Sequence, residues 1–186
     1  MQILGICGSS ASSRRTRALI ESALNGSLLE DQAAAIDVVD LSQQVLEFCD
    51  GRMVEEYNRD TQQVLGKIKN ADAFLFGSPM YRGTITGALK NLIDLIPDDY
   101  IKGKTAGLAA TGGSDHHYLG VDLGFRTAMA FFRVHTIPGV LYHSNFTVEE
   151  GRIVEDKVRN QAEQFGRDLV QLTKMTSGKV LGPSLY

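Results

Sequence analysis

Short apolar runs alternate with stretches of three-and-four spacing along most of the chain, and this alternation restricts the architecture more than any other feature. Gln2–Cys7 reads as a first strand and Arg15–Leu24 as a helix that closes near Asn25-Gly26, a pair suited to a C-cap. Ile36–Leu41 is a second strand; Gln43–Tyr57 has no clear period, and Met53–Lys69 turns helical with Val64, Leu65 and Ile68 on one face. Ala71–Gly77 is a third strand, ended by Ser78-Pro79 because proline cannot continue a central ladder. Ile85–Ile96 carries the clearest helical spacing and stops at Pro97. Thr105–Ala110 is a fourth strand and Tyr118–Phe132 a helix in spite of Gly120 and Gly124. Val134–Tyr142 is a fifth strand whose Pro138-Gly139 calls for an edge position or a bulge. Phe146–Val154 suits a small hairpin and Glu155–Lys174 a last helix; Met175–Tyr186 has no period and reads as an arm or a disordered tail. Such a series predicts an α/β fold, a doubly wound parallel sheet with helices on both faces.

In a sheet of this kind ligands lie at the carboxyl ends of the strands, near the point where the strand order reverses. Three polar, glycine-rich loops follow strands here, Ser9–Arg17, Ser78–Thr84 and Thr111–His117, so all three are expected on one edge. The first leads into a helix and contains hydroxyls and Arg14, Arg15 and Arg17, which suits a phosphate held by free N–H groups, the helix dipole and charged donors. It lacks the later glycines of a dinucleotide fingerprint and the Gly-Lys-Ser/Thr of a Walker loop. The alternative for this loop is a plain serine-rich N-cap with surface arginines. Cys7 with Arg14 also looks superficially like a cysteine-dependent phosphatase, but six residues separate the two where that family has five, and no Asp-Pro follows. A buried packing thiol is the simpler reading of Cys7.

The second loop, with Pro79, Met80, Tyr81, Arg82 and Gly83, can cup a planar ring, and Thr111-Gly112-Gly113-Ser114 lets main chain approach it. A phosphate site beside a flat-ring site describes a mononucleotide, and FMN fits better than a dinucleotide. The 186 residues suit one main domain of ordinary composition, 43% apolar and 22% charged, and a net charge of −3 argues against nucleic acid as the main partner. No apolar run is long enough for a membrane span and no signal-peptide pattern opens the chain, so a cytoplasmic protein is expected, with Cys7 and Cys49 as thiols.

Gly8-Ser9 with Thr16, then Gly77-Ser78-Pro79-Met80-Tyr81-x-Gly83-x-x-x-Gly87-x-Leu89-Lys90-Asn91-x-x-Asp94, then Ala110-Thr111-Gly112-Gly113 resemble the NAD(P)H-dependent FMN reductases of the flavodoxin-like superfamily. Order and spacing look most similar to the reductases that supply reduced flavin to sulfonate-type monooxygenases. The resemblance covers residues 2–175 and implies a flavodoxin-like five-stranded sheet of order 2-1-3-4-5, a reductase domain over 1–175 and a tail over 176–186. It implies FMN with NAD(P)H as cosubstrate, a flavin-dependent monooxygenase as partner and a homodimer or homotetramer. From it, Ser9, Arg15, Thr16 and Arg17 would contact the phosphate, Pro79, Met80, Tyr81, Arg82 and Gly83 the ring and ribityl, and Thr111, Gly112, Gly113 and Ser114 the ring's other side. Arg14 departs from the family pattern, which has serine there, and Val121-Asp122-Leu123-Gly124-Phe125 lacks the aromatic insertion of some relatives. No catalytic nucleophile and no metal are expected, because a flavin carries the hydride chemistry itself. His116 and His117 are open between a contact to the rings and exposed loop positions, and Asp122 with Arg126 is expected to pair along a helix. Rival readings are an FMN-bound quinone, azo or chromate reductase of the same fold, or a flavodoxin-type electron carrier.

Overall fold

The computed structural model describes residues 1–11, 14–115 and 118–183. Three strands, β1 (Gln2–Cys7), β3 (Ala73–Pro79) and β4 (Thr105–Thr111), form the middle of a parallel sheet, with β2 (Ala35–Asp40) outside β1. Every residue of β3 and β4 is buried, as expected of strands covered on both faces, whereas β2 lies half-exposed at the edge. On the far side, β5 (His135–Thr136) and β6 (Leu141–His143) both pair in parallel with β4. They are two pieces of one edge strand. His135 lies opposite Thr105 and Leu141 opposite Ala109, so the register slips by two residues across Ile137–Val140, where Pro138 and Gly139 stand. The order is β2-β1-β3-β4-β5, the flavodoxin-like order.

Helices α2 (Arg59–Asn70), α3 (Gly87–Leu95), α4 (Asp98–Ile101) and α5 (Tyr118–Phe131) cover one face over Leu4, Ile6, Phe74, Phe76 and Leu108. Phe74, Phe76 and Phe125 form its aromatic centre, with ring centroids 5.6 and 6.5 Å apart. Helices α1 (Arg14–Glu30) and α6 (Asp156–Thr176) cover the other, over Ile3, Leu75 and Ala109. The hairpin β7 (Val148–Glu149) and β8 (Arg152–Ile153) lies beside them, as its sequence suggests.

Several boundaries differ from the sequence reading. α1 continues through Asn25-Gly26 to Glu30, because Gly26 is a helix-contact residue rather than a cap: a Cβ there would stand 1.9 Å from the Glu163 carbonyl oxygen of α6. Gly166 of α6 answers it, its missing Cβ lying 1.8 Å from the Ala23 carbonyl oxygen. β3 includes Ser78 and Pro79, the latter opposite Thr111 as its final residue. A short α4 follows Pro97, unannounced in the sequence, and α3 starts two residues later than its apolar spacing, with Thr86 as N-cap accepting the Leu89 N–H at 3.1 Å. α2 begins at Arg59 after a separate 3-10 turn, Val54–Glu56.

Beyond α6, residues 177–183 follow the amino-terminal edge of the sheet, where Lys179 O lies 2.9 Å from His135 Nε2 and the Arg133 guanidinium donates to Gly182 O at 2.7 Å. No helix among the described residues is long and apolar enough to cross a membrane.

Candidate functional site at the carboxyl edge of the sheet

The three loops are fastened to one another by main chain and hydroxyls. Gly8 N–H donates to Gly77 O at 2.7 Å, and Gly8 O accepts from the Thr86 hydroxyl, so the first loop is bound to both ends of the second. Ser78 Oγ accepts the Thr86 N–H at 3.1 Å, which folds the second loop back on its own strand. Met80 N–H donates to Thr111 O at 2.7 Å, and Thr16 Oγ1 meets Thr111 Oγ1 at 2.8 Å, closing the circuit from first loop to third. These polar groups are buried and mutually satisfied, which fixes the loops as a unit.

Within the first loop, Ser9 is buried and its hydroxyl accepts the Ala11 N–H at 3.2 Å. Arg15 is exposed, its guanidinium 6.0 Å from the Phe146 ring centroid. Arg17 is drawn to the side by Glu21 at 2.7 Å and Asp40 at 3.2 Å. In the second loop Pro79 and Met80 are buried, and Tyr81, Arg82, Gly83 and Thr84 make a tight turn. Tyr81 N–H donates to Thr84 O at 3.0 Å and Thr84 N–H returns to Tyr81 O at 3.2 Å. Arg82 and Gly83 have φ of 55° and 83°, the doubly left-handed pair of a type I′ turn. That turn rests on α5, where a Cβ on Gly120 would come within 2.4 Å of Gly83 O. A glycine that looked unfavourable in a helix is thus the seat of the ring loop.

In the third loop Thr111 is buried, Gly112 N–H donates to His143 O at 3.3 Å, and the Tyr142 hydroxyl donates to Ser114 O at 2.5 Å. Among the described residues, a Cβ on Gly113 would meet nothing within 4 Å, so they leave space open above it. His116 and His117 lie outside the described residues. Asp122 and Arg126 do pair, at 2.5 Å, and Arg126 also donates to Thr136 Oγ1 at 2.8 Å and Gly139 O at 2.8 Å, plugging the break in the edge strand.

Cys7 lies at the end of β1 beneath these loops, and burial, with the Asp40 carboxylate second, pushes its thiol up to about 12. At neutral pH it stays protonated, which removes the attacking thiolate a phosphatase needs.

Sequence reasoning missed the segment Leu41–Phe48. It lines a cleft of about 480 Å³ with Ser10, Tyr81, Thr86 and Asn91, held by Asn91, which donates to Glu47 O and accepts the Cys49 N–H, each at 2.9 Å. Asn91 stood in the quoted Leu89-Lys90-Asn91 motif and was the available signal. A larger cleft of about 690 Å³ opens between α1, β2 and the hairpin; its walls mix Glu21, Glu150 and Glu163 with Arg152 and Arg159 and include no described residue of the three loops.

The family described as NADPH-dependent FMN reductase matches residues 1–148. The chain belongs to this family. A curated NAD(P)H-dependent FAD/FMN reductase of Geobacillus thermodenitrificans is 35% identical over 173 residues, covering 92% of this chain and 93% of that protein. The NADH-dependent FMN reductase SfnF of Pseudomonas putida is 34% identical, covering 83% of each chain. The same fold is present in a solved NADH:FMN oxidoreductase in its apo form, with a TM-score of 0.75 at 24% identity over 96% of this chain and 91% of that one. An archaeal flavodoxin superposes with a TM-score of 0.64 at 15% identity, over 94% and 99%. Membership in the FMN reductase family rests on the sequence matches; the two structures carry the flavodoxin-like architecture.

Proposed function

We propose that this chain, an oxidoreductase of the FMN reductase family, moves hydride from NADH or NADPH to FMN at the edge formed by its three loops. The observation that carries the reading is the closed circuit through Gly8–Thr86, Met80–Thr111 and Thr16–Thr111, which holds an anion-suited helix start beside two main-chain ring loops. FMN, when bound, supplies a ring that accepts hydride and passes electrons on. Every other role falls to the chain. The first turn of α1, with Ser9, Arg15 and Thr16, offers N–H, hydroxyl and guanidinium donors to the phosphate. Arg17, already paired with Glu21 and Asp40, contributes its N–H and positive field. Pro79–Gly83 forms the floor for the ring and ribityl, with Tyr81 at its edge. Thr111–Ser114 closes the second side, and the open space above Gly113 leaves room for a stacked nicotinamide.

The residues fit the ligand on a structural criterion: Gly113 N–H and Ser114 N–H have no acceptor among the described residues, and they flank that open space. Two main-chain donors there suit the carbonyl oxygens of a flavin and the negative charge of its reduced form.

The test follows oxidation of NADH and NADPH by the purified protein with FMN, riboflavin or a quinone as acceptor. Absence of flavin affinity and of nucleotide oxidation overturns the reading. Release of FMN as product separates a flavin reductase from an FMN-bound quinone, azo or chromate reductase. Changing Arg15, which is exposed and takes no part in that circuit, to Ala weakens FMN by roughly 30-fold, the worth of one charged hydrogen bond at about 2 kcal/mol, and leaves riboflavin nearly unchanged. Equal loss for both ligands rejects the phosphate assignment.

The same reading places the protein in the cytoplasm, with residues 1–175 as the reductase unit, 176–186 as its tail and a flavin-dependent monooxygenase as consumer of its product. A homodimer or homotetramer is supported by α5, where Leu123 and Phe131 are 73% and 54% exposed. Beside them an apolar cleft of about 480 Å³ runs between α3 and α5 over Ile93, Ile96, Ala128 and Phe132.

A further inference from the structure

The third loop owes its shape to the edge strand, which lies outside the three loops that face the ligand. After the break at Pro138-Gly139, β6 rejoins β4 two residues out of step, with Tyr142 opposite Ala110 and His143 opposite Thr111. From this position it grips the loop at three successive residues. Tyr142 donates its hydroxyl to Ser114 O at 2.5 Å, His143 O accepts the Gly112 N–H at 3.3 Å, and the Ser144 hydroxyl donates to the Asp115 carboxylate. The fit at Tyr142 is close. A Cβ on Gly112 would stand 2.2 Å from the phenolic oxygen, so glycine at 112 is required by this tyrosine before any ligand arrives.

The grip sorts the loop's polar groups. It consumes one N–H, that of Gly112, and one carbonyl, that of Ser114, and leaves the N–H groups of Gly113 and Ser114 without an acceptor among the described residues. The two anchors flank those donors: the Gly112 N–H lies in the Thr111–Gly112 peptide and the Ser114 carbonyl in the Ser114–Asp115 peptide, on either side of the two peptides that carry the Gly113 and Ser114 N–H groups. With the Ser114 end released, those two peptides could turn and present carbonyls instead, which would repel a flavin carbonyl and disfavour a reduced, anionic ring. We infer that Tyr142 is a positioning residue for the flavin ring: by fixing Ser114 O it anchors the far end of the loop, opposite the Gly112–His143 bond, and so keeps the intervening Gly113 and Ser114 amides turned as donors toward the ring's carbonyl side. The inference rests on the flavin reading above and extends it to a residue 28 positions away from the loop it holds. Arg126 stands behind it, because its guanidinium on Thr136, Ile137 and Gly139 sets the slipped register that brings Tyr142 to the loop.

The experiment compares Tyr142→Phe, Ser144→Ala and Gly112→Ala with the unaltered chain, binding FMN, riboflavin and the tail-free ring lumiflavin by fluorescence quenching. Tyr142→Phe keeps the ring's packing and removes one hydrogen bond, so all three ligands weaken by the same factor, about tenfold. Gly112→Ala forces the hydroxyl off Ser114 and reproduces that pattern without touching Tyr142, and Ser144→Ala gives a smaller loss of the same kind. Reduced FMN loses more affinity than oxidised FMN in Tyr142→Phe, a difference that a general loosening of the fold does not produce. Unchanged lumiflavin binding in Tyr142→Phe, or a loss confined to FMN, overturns the inference. Hydrogen exchange in the ligand-free protein reads the clamp independently: the Gly112 amide exchanges at least several-fold faster in Tyr142→Phe, and an unchanged rate overturns it. Failure of the unaltered chain to bind any flavin overturns the functional reading instead, and the exchange measurement still decides the clamp.

Discussion

The two faces of the sheet use glycine in helices for opposite purposes. Between α1 and α6, Gly26 and Gly166 let two backbones touch, and the helices seal the sheet with Ser27 Oγ donating to Gly166 O at 3.0 Å across the contact. On the other face, Gly120 of α5 admits the Arg82-Gly83 turn, while Leu123 and Phe131 stay exposed. One glycine pair closes the fold; the other glycine receives a working loop. Adding a methyl group to each therefore separates stability from activity.

The largest effect is expected at the closed contact. Gly166→Ala drives a Cβ into the Ala23 carbonyl with no flexible side chain to yield, and overpacking of this kind costs about 3 kcal/mol. In a chain of this length that lowers Tm by roughly 6–12 °C. Thermal unfolding with and without flavin measures it, and a Tm within a degree or two of the parent would mean that the helices slide apart freely. Gly120→Ala meets the Gly83 carbonyl at 2.4 Å, but the turn is exposed and can lift. Its cost should fall on function: about a tenfold loss in kcat/KM, some 1.4 kcal/mol, with a smaller fall in Tm than Gly166→Ala. If both variants lose stability alike, the contrast between the faces fails.

The smallest effect lies at the rim of the closed face. Burial, and then the positive charge of Lys157, holds the His143 imidazole below its usual 6.5. The unfolded chain therefore binds a proton more readily than the folded one. Stability from this site is complete above about pH 6.5 and declines as the pH falls through that value toward the folded pKa. Denaturant midpoints from pH 5 to 7.5 should show this acid slope, flattened in His143→Gln.

Much of the frame was legible because burial on two faces leaves a strong local record. β1, β3 and β4 are near-continuous apolar or small-residue runs, and Pro138-Gly139 announced the divided edge strand. The loops were legible by position alone, since each follows a strand that ends on the same edge. Gly26 misled because the same residue serves a C-cap and a helix contact, and only the partner helix, far away in sequence, decides between them. α4 has four residues, too few for a period. The fastenings of the site were hidden for a related reason. Thr86 to Gly8 spans 78 residues and Asn91 to Glu47 spans 44, and a hydroxyl or an amide bonded over such distances leaves no spacing to read.

The two cysteines differ in a way that makes the chain convenient to watch. Cys7 is sealed under the loops with its thiol pushed to about 12, whereas Cys49 is exposed, one residue from the Phe48 wall of the smaller cleft and tied to Asn91. A maleimide dye at neutral pH therefore attaches at Cys49 alone. The native sequence carries its own single-site reporter beside the pocket, ready for fluorescence during turnover without a cysteine being added or removed.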